Sequence, residues 1–194
     1  MKPLARFFAV VVSLLAAAPA TAQDALDTPF LFYGYANGML DRAESRYNGG
    51  RVHLRQEINP GALLNLDLTY AVPGFDLFAI RDEDYTNASA TYQQVFEAAP
   101  TYSISGMLGV AYGRAFRGFA KGDELAITMG ALGEIQLGST GALHGQLQYH
   151  GAGGFGLGVG GGITQYFMSG GAIRIDYMMY ENVNQAAIMF GYAL

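Results

Sequence analysis

The feature that most restricts the fold of this chain is a period of two that recurs from segment to segment with the same two unlike faces. In RVHLRQEI, Val52, Leu54 and Ile58 share one parity, and Arg51, His53, Arg55 and Glu57 share the other. After Asn59-Pro60-Gly61, LLNLDLTYAV sets Leu64, Leu66, Leu68, Tyr70 and Val72 against Asn65, Asp67 and Thr69. ELAITMGALGEIQL sets Leu125, Ile127, Met129, Ala131, Ile135 and Leu137 against Glu124, Thr128, Glu134 and Gln136. ALHGQLQYH sets Leu143, Leu147 and Tyr149 against His144, Gln146, Gln148 and His150. Alternation of this kind marks strands whose two faces meet different surroundings.

The pattern places strands near 30–41, 51–58, 62–72, 89–98, 105–117, 123–137, 142–150, 155–167, 171–180 and 186–194. Connections after the second, sixth and eighth are tight (NPG, GSTG, MSGG), whereas those after the first and third are expected to be longer. No segment has a helical period. The fold class is therefore all-β, an antiparallel up-and-down barrel of about ten strands. An eight-stranded barrel, with residues 73–106 folded otherwise, is the competing count.

Which face meets water decides what kind of barrel this is. Charged residues make up 14% of the chain, roughly half the usual share, while Gly (27), Tyr (13) and Phe (12) are plentiful. Residues 1–22 carry Lys2 and Arg6, a short apolar run and Ala20-Thr21-Ala22, the layout of a secretory signal. The expected organisation is a signal peptide over 1–22 and one barrel domain over 23–194. After the leader no apolar run reaches the ~20 residues of a spanning helix, so any crossing must be made by strands of about 9 to 11 residues. Losing the leader makes the chain two charges more acidic than its overall −5, which excludes nucleic acid as a partner. The absence of cysteine excludes disulfides and thiolate metal sites.

The last segment, AAIMFGYAL, alternates most regularly, with Ile188, Phe190, Tyr192 and Leu194 on one face. In this pattern, and in its long apolar rows and low charge, the chain resembles the bacterial outer-membrane β-barrel proteins, in general terms the small porin-like and OmpX- or OmpA-like barrels. The final strand of those proteins ends in alternating apolar and aromatic residues that the assembly machinery reads; Leu194 stands where they most often have phenylalanine. The resemblance implies a transmembrane barrel in the outer membrane, with lipid, lipopolysaccharide and the barrel-assembly machinery as partners. It makes Ile188, Phe190, Tyr192 and Leu194 the assembly signal.

In such a barrel Arg51, His53, Arg55, Glu57, Asp67, Glu134, His144, Arg174 and Asp176 face the lumen. The NPG hairpin puts His53 opposite Asp67, and the GSTG hairpin puts Glu134 near His144. Either these charges neutralise one another, or they form a constriction that selects solutes. Gly156, Gly158, Gly160 and Gly162 share the polar parity, whereas Phe155, Leu157, Val159 and Ile163 take the other. The glycine row makes room for neighbouring long side chains or leaves a lumenal cavity. The formal GxGxxG within it precedes no helix, so no cofactor is expected. His144 and His150 lie about 20 Å apart along one strand and His53 belongs to a distant one, so no metal site is expected.

The third connection holds apolar Phe75, Leu77, Phe78 and Ile80 beside the acidic run Arg81 to Asp84. The acidic run is a solvated loop or a bridge through divalent ions to lipopolysaccharide phosphates; the apolar piece covers the mouth, extends the strand or touches a ligand. The function expected is a non-enzymatic outer-membrane barrel, either a narrow pore for small polar solutes or a structural and surface-interaction element. The alternatives are a barrel enzyme acting on lipid A or peptides, with His150, Asp82 and Asp84 at its outer rim, and a soluble periplasmic barrel.

Overall fold

In the computed structural model of the protein, the residues described are 30–40, 45–73, 85–99, 101–114, 123–138, 140–167 and 170–194. They form β1 (Phe30–Leu40), β2 (Ser45–Asn59), β3 (Ala62–Pro73), β4 (Tyr85–Ala99), β5 (Tyr102–Arg114), β6 (Asp123–Leu137), β7 (Gly141–His150), β8 (Gly156–Tyr166), β9 (Gly171–Tyr180) and β10 (Val183–Ala193). Neighbours in sequence pair antiparallel and β10 returns to β1, closing the sheet into a ten-stranded barrel. Closure keeps the strands' backbone hydrogen bonds inside the sheet, the condition for crossing lipid with strands. The expected signal peptide at 1–22 and the pieces of the third connection at 75–84 lie outside the described residues.

The structure rules out eight strands. β4 runs through the stretch that the smaller barrel folds otherwise, and it is paired along both edges. β2 begins at Ser45, ahead of the alternation that marks it, because Tyr47 and Gly49 continue its inward row without charge. The first connection, expected to be long, is therefore only residues 41–44.

The register shows how steeply the strands lean. Phe30, at the tight-turn end of β1, stands opposite Arg55, and successive partners are Asn65, Thr91, Gly109, Thr128, His150 and Gly156. His150 ends β7 at the opposite rim, so a line drawn across the strands climbs the whole wall between β1 and β8. That stagger is what barrel closure demands. β4 also carries a bulge between Val95 and Glu97, which leaves Phe96 unpaired and exposed.

Burial follows parity, with the apolar row outside. Leu147 and Phe190 are each 52% exposed on the outer wall, while Thr128 on the inner wall is 0% exposed. Leu108, Ile127, Val159 and Ile175 are exposed in the same way, and His53, Glu134, His144 and Asp176 are buried. This is the reverse of a water-soluble barrel and the arrangement of a transmembrane one. Leu54 and Leu66 share the outward parity but are buried. Outward aromatics mark both ends, with Phe96, Tyr102, Phe167 and Tyr192 by the tight turns and Tyr70, Tyr149 and Tyr177 toward the other rim.

Candidate functional site

The candidate site is the barrel interior, and its middle is a layer of paired charge. β2 contributes Arg51, His53 and Arg55, β3 Asp67, β6 Glu134, β7 His144, and β9 Arg174 and Asp176. Arg51 donates to Asp67 at 2.6 Å and reaches Asp176 on β9 at 3.4 Å. His53 Nδ1 lies 3.1 Å from Asp67 Oδ2. Arg174 Nε donates to Asp176 Oδ1 at 2.8 Å. The Arg55 guanidinium forks onto both oxygens of Glu134, at 2.7 and 2.8 Å. Since β2 and β6 stand on opposite walls, that fork crosses the lumen. Three guanidiniums meet three carboxylates, which is how buried charge becomes tolerable.

Register and contact part company at one pair. His53 faces Asp67 in the ladder and touches it. Glu134 faces His144 in the ladder, yet its carboxylate goes to Arg55. His144 Nε2 instead lies 3.1 Å from Asp176 and 3.2 Å from Arg174 Nη2. One nitrogen cannot both donate to the carboxylate and accept from the guanidinium, so only one of these is a hydrogen bond at a time. Glu57, on the same inward row near the turn, makes no ion pair among the described residues.

The glycine row packs against the charged layer. Gly162 stands between His144 and Asp176, Gly160 between Gln146 and Met178, and Gly158 between Gln148 and Tyr180. A Cβ on Gly160 would lie 2.5 Å from Met178 Sδ, and one on Gly162 would lie 2.6 Å from Asp176 Oδ1; at Gly158 it would enter the Tyr180 ring. The row admits those side chains and, at Gly160 and Gly162, the close approach of the Tyr177 and Ile175 backbone oxygens of β9.

Beside the charges runs a neutral polar network that the alternation alone did not single out. Asn65 Nδ2 donates to Gln93 Oε1 and Gln93 Nε2 to Ser105 Oγ, both at 2.9 Å. Gln148 Nε2 donates to Thr128 Oγ1 at 2.9 Å, and Tyr180 donates to Gln148 at 3.2 Å. His150 Nε2 lies 3.0 Å from Asn87 Oδ1. The signal available was the run of amides and hydroxyls on the inward parity of β3 to β7. Between the two networks remains a cavity of about 70 Å³, bordered by Arg51, Asp67, Ser89, Gln146 and Arg174.

Apolar clusters sit at both ends of the interior. At the tight-turn end Phe30, Phe32, Ala172, Ala187 and Met189 pack together, with Tyr166 edge-on to Phe30 at 5.3 Å. At the other end Tyr47, Ala71, Phe155 and Val183 cluster against Tyr180. Phe155 corrects the sequence reading, which put it on the outer face with Leu157. It precedes β8, and Gly156 at φ 75° breaks the parity, so its ring turns inward and is fully buried.

Ile188, Phe190 and Tyr192 line the outer face of β10, where Phe190 and Tyr192 pair with Tyr33 and Leu31 of β1. Leu194 follows the strand and is exposed. His150, expected at the outer rim, is buried beneath Phe155, with ring centroids 4.8 Å apart. Asp82 and Asp84 lie outside the described residues. Among the described residues no three His, Asp or Glu side chains gather as a metal would need.

No protein-family model matches the chain, and no curated protein does. Solved outer-membrane β-barrels do. The chain is similar to Ail, the attachment invasion locus protein of Yersinia pestis, at 18% identity over 86% of this chain and 97% of that one, with a TM-score of 0.38. OprG from Pseudomonas aeruginosa matches at 12% identity, over 87% and 96%, with a TM-score of 0.42. The KdgM porin matches at 9% identity, over 84% and 99%, with a TM-score of 0.44. At these identities the likeness is one of fold.

Proposed function

We propose that this is a non-enzymatic outer-membrane barrel with a packed lumen, serving as a structural or surface-interaction element and not as a standing pore for small polar solutes. The observation that carries this reading is the Arg55–Glu134 fork across the lumen. A charged pore selects ions with charges left free to meet them. Here Arg51 is held between Asp67 and Asp176, and Arg55 and Arg174 are each met by a carboxylate. The remaining cavity of about 70 Å³ has room for a few waters. Proteoliposomes carrying the refolded barrel should swell no faster in small sugars or amino acids than empty vesicles. Rapid swelling would favour the pore.

The partners of this reading are outer-membrane lipid and lipopolysaccharide around the apolar wall, and the barrel-assembly machinery at Ile188, Phe190, Tyr192 and Leu194. Outer-membrane yield at matched expression tests the last: a chain lacking Tyr192 to Leu194 that inserts as well as the intact one would remove the signal role. No chemistry is assigned to His150, which is bonded to Asn87 and shielded from the rim. Lipid A and peptide turnover should be absent. Turnover that His150→Ala abolishes would reinstate the enzyme.

A further inference from the structure

The connection from β7 to β8, Gly151-Ala152-Gly153-Gly154-Phe155, lies across the mouth of the barrel. Gly151 N donates to Ile127 O at 3.1 Å, and Gly153 N donates to Glu124 Oε2 at 3.2 Å, so its first half is tied to β6. Asn182, between β9 and β10, donates to Gly154 O at 2.9 Å and ties the second half to another part of the rim. The wall is shaped to receive it. A Cβ on Gly113 of β5 would lie only 2.6 Å from Gly153 N, so the segment can rest there only because that inward position is glycine. Gly153 and Gly154 both have positive φ, 66° and 74°, and bend the chain back into the lumen. Phe155 then drops between Tyr180 and His150, 4.8 Å from each ring centroid, and is fully buried.

We propose that residues 151–155 are a strap that shuts the loop-end mouth, with Phe155 as its latch, and that releasing it opens the polar interior while the tight-turn end stays sealed. The strap adds no strand pairing. Its hydrogen bonds to Ile127, Glu124 and Asn182 lie at the rim, outside the strand pairing, so it can lift by local opening while the ladders stay intact. At the other end the cluster of Phe30, Phe32, Tyr166 and Met189 is built on paired strands β1, β8 and β10, so its backbone cannot lift as a segment without breaking the wall. Lifting the strap therefore makes a chamber open on one side, lined by Asn87, Ser89, Gln148 and Tyr180 among others.

The inference rests on the packed-lumen reading, and thiol labelling separates the two. The chain has no cysteine, so Ser89→Cys places a single thiol in the interior. In the refolded barrel, checked by its heat-dependent migration, a bulky water-soluble maleimide should label that thiol slowly. Adding Phe155→Ala, or Gly113→Val to push the strap off the wall, should speed labelling about tenfold or more, since the rate follows the open population. Proteoliposome swelling should stay at the level of empty vesicles in both. Fast labelling with the strap intact would overturn the packed lumen. Slow labelling in every folded variant would overturn the strap and leave the packed lumen standing. Faster swelling in either strap variant would overturn the second seal. If neither strap variant folds, Phe155 belongs to the framework and the strap is refuted.

Discussion

The two ends of the lumen carry similar apolar side chains held in different ways. At the tight-turn end Phe32 sits in β1 with ladder partners on both sides, Gly191 and His53. At the loop end Phe155 fills a comparable place from a connection that lies outside the strand ladders and is held by hydrogen bonds at the rim. Both rings are shielded, 3% and 0% exposed, so burial does not distinguish them. Fixity does. Moving the Phe32 backbone requires the barrel to come apart, whereas moving that of Phe155 requires one segment to lift.

The largest effect is expected in the layer that the seals enclose. Arg174 lies over the Phe32 ring at 5.7 Å, so the tight-turn seal leans on the charges above it. Glu134→Ala leaves Arg55 buried without its fork and should cost about 3 to 5 kcal/mol of barrel stability, read from the denaturant midpoint of the refolded protein. Replacing both partners, Arg55→Met with Glu134→Leu, should restore most of it. A single variant as stable as the parent would mean that the fork contributes nothing and water already fills the lumen.

Next come the seals themselves. Phe32→Ala should lower the same midpoint by about 3 kcal/mol, the cost of emptying a packed ring site. Phe155→Ala should cost less, because its loss is capped by the free energy that holds the strap down. Equal losses at the two positions would erase the distinction between wall and strap. The smallest pair uses glycines. A Cβ on Gly191 would meet the Phe32 ring inside the wall, so Gly191→Ala should cost about 1 to 3 kcal/mol through overpacking. Gly113→Ala meets the strap, which can move, and should leave the midpoint nearly unchanged while raising thiol labelling of the interior.

Much of this architecture was legible in the residues. Strands such as Ala62–Pro73 and Asp123–Leu137 carry long runs of unlike neighbours, Leu64 to Tyr70 in one and Glu134 to Leu137 in the other, so parity fixed both the strand and its inward face. β4 was harder, because its outward Ala88 and Ala90 are small and set little apolar weight against Asn87 and Ser89. The His53–Asp67 pair was readable from its hairpin, since turn length sets the register of adjacent strands. The Arg55–Glu134 fork was not: it depends on the girth of the closed barrel, which no local pattern encodes. Phe155 was misplaced because parity counts residues and assumes extended backbone, an assumption that ends at Gly156. The glycine row was visible as a row, but which side chains occupy it required Met178 and Tyr180 to be placed on β9.

Ion conductance of the refolded, unmodified barrel in a planar bilayer tests the packed lumen most directly. With Arg55 forked to Glu134 across the lumen and aromatic clusters at both ends, insertion should produce no steady current at moderate voltage. Phe155→Ala should likewise give no current, because the Phe30, Phe32 and Met189 cluster still blocks the tight-turn end. A sustained ohmic current through the unmodified protein would contradict the packed lumen.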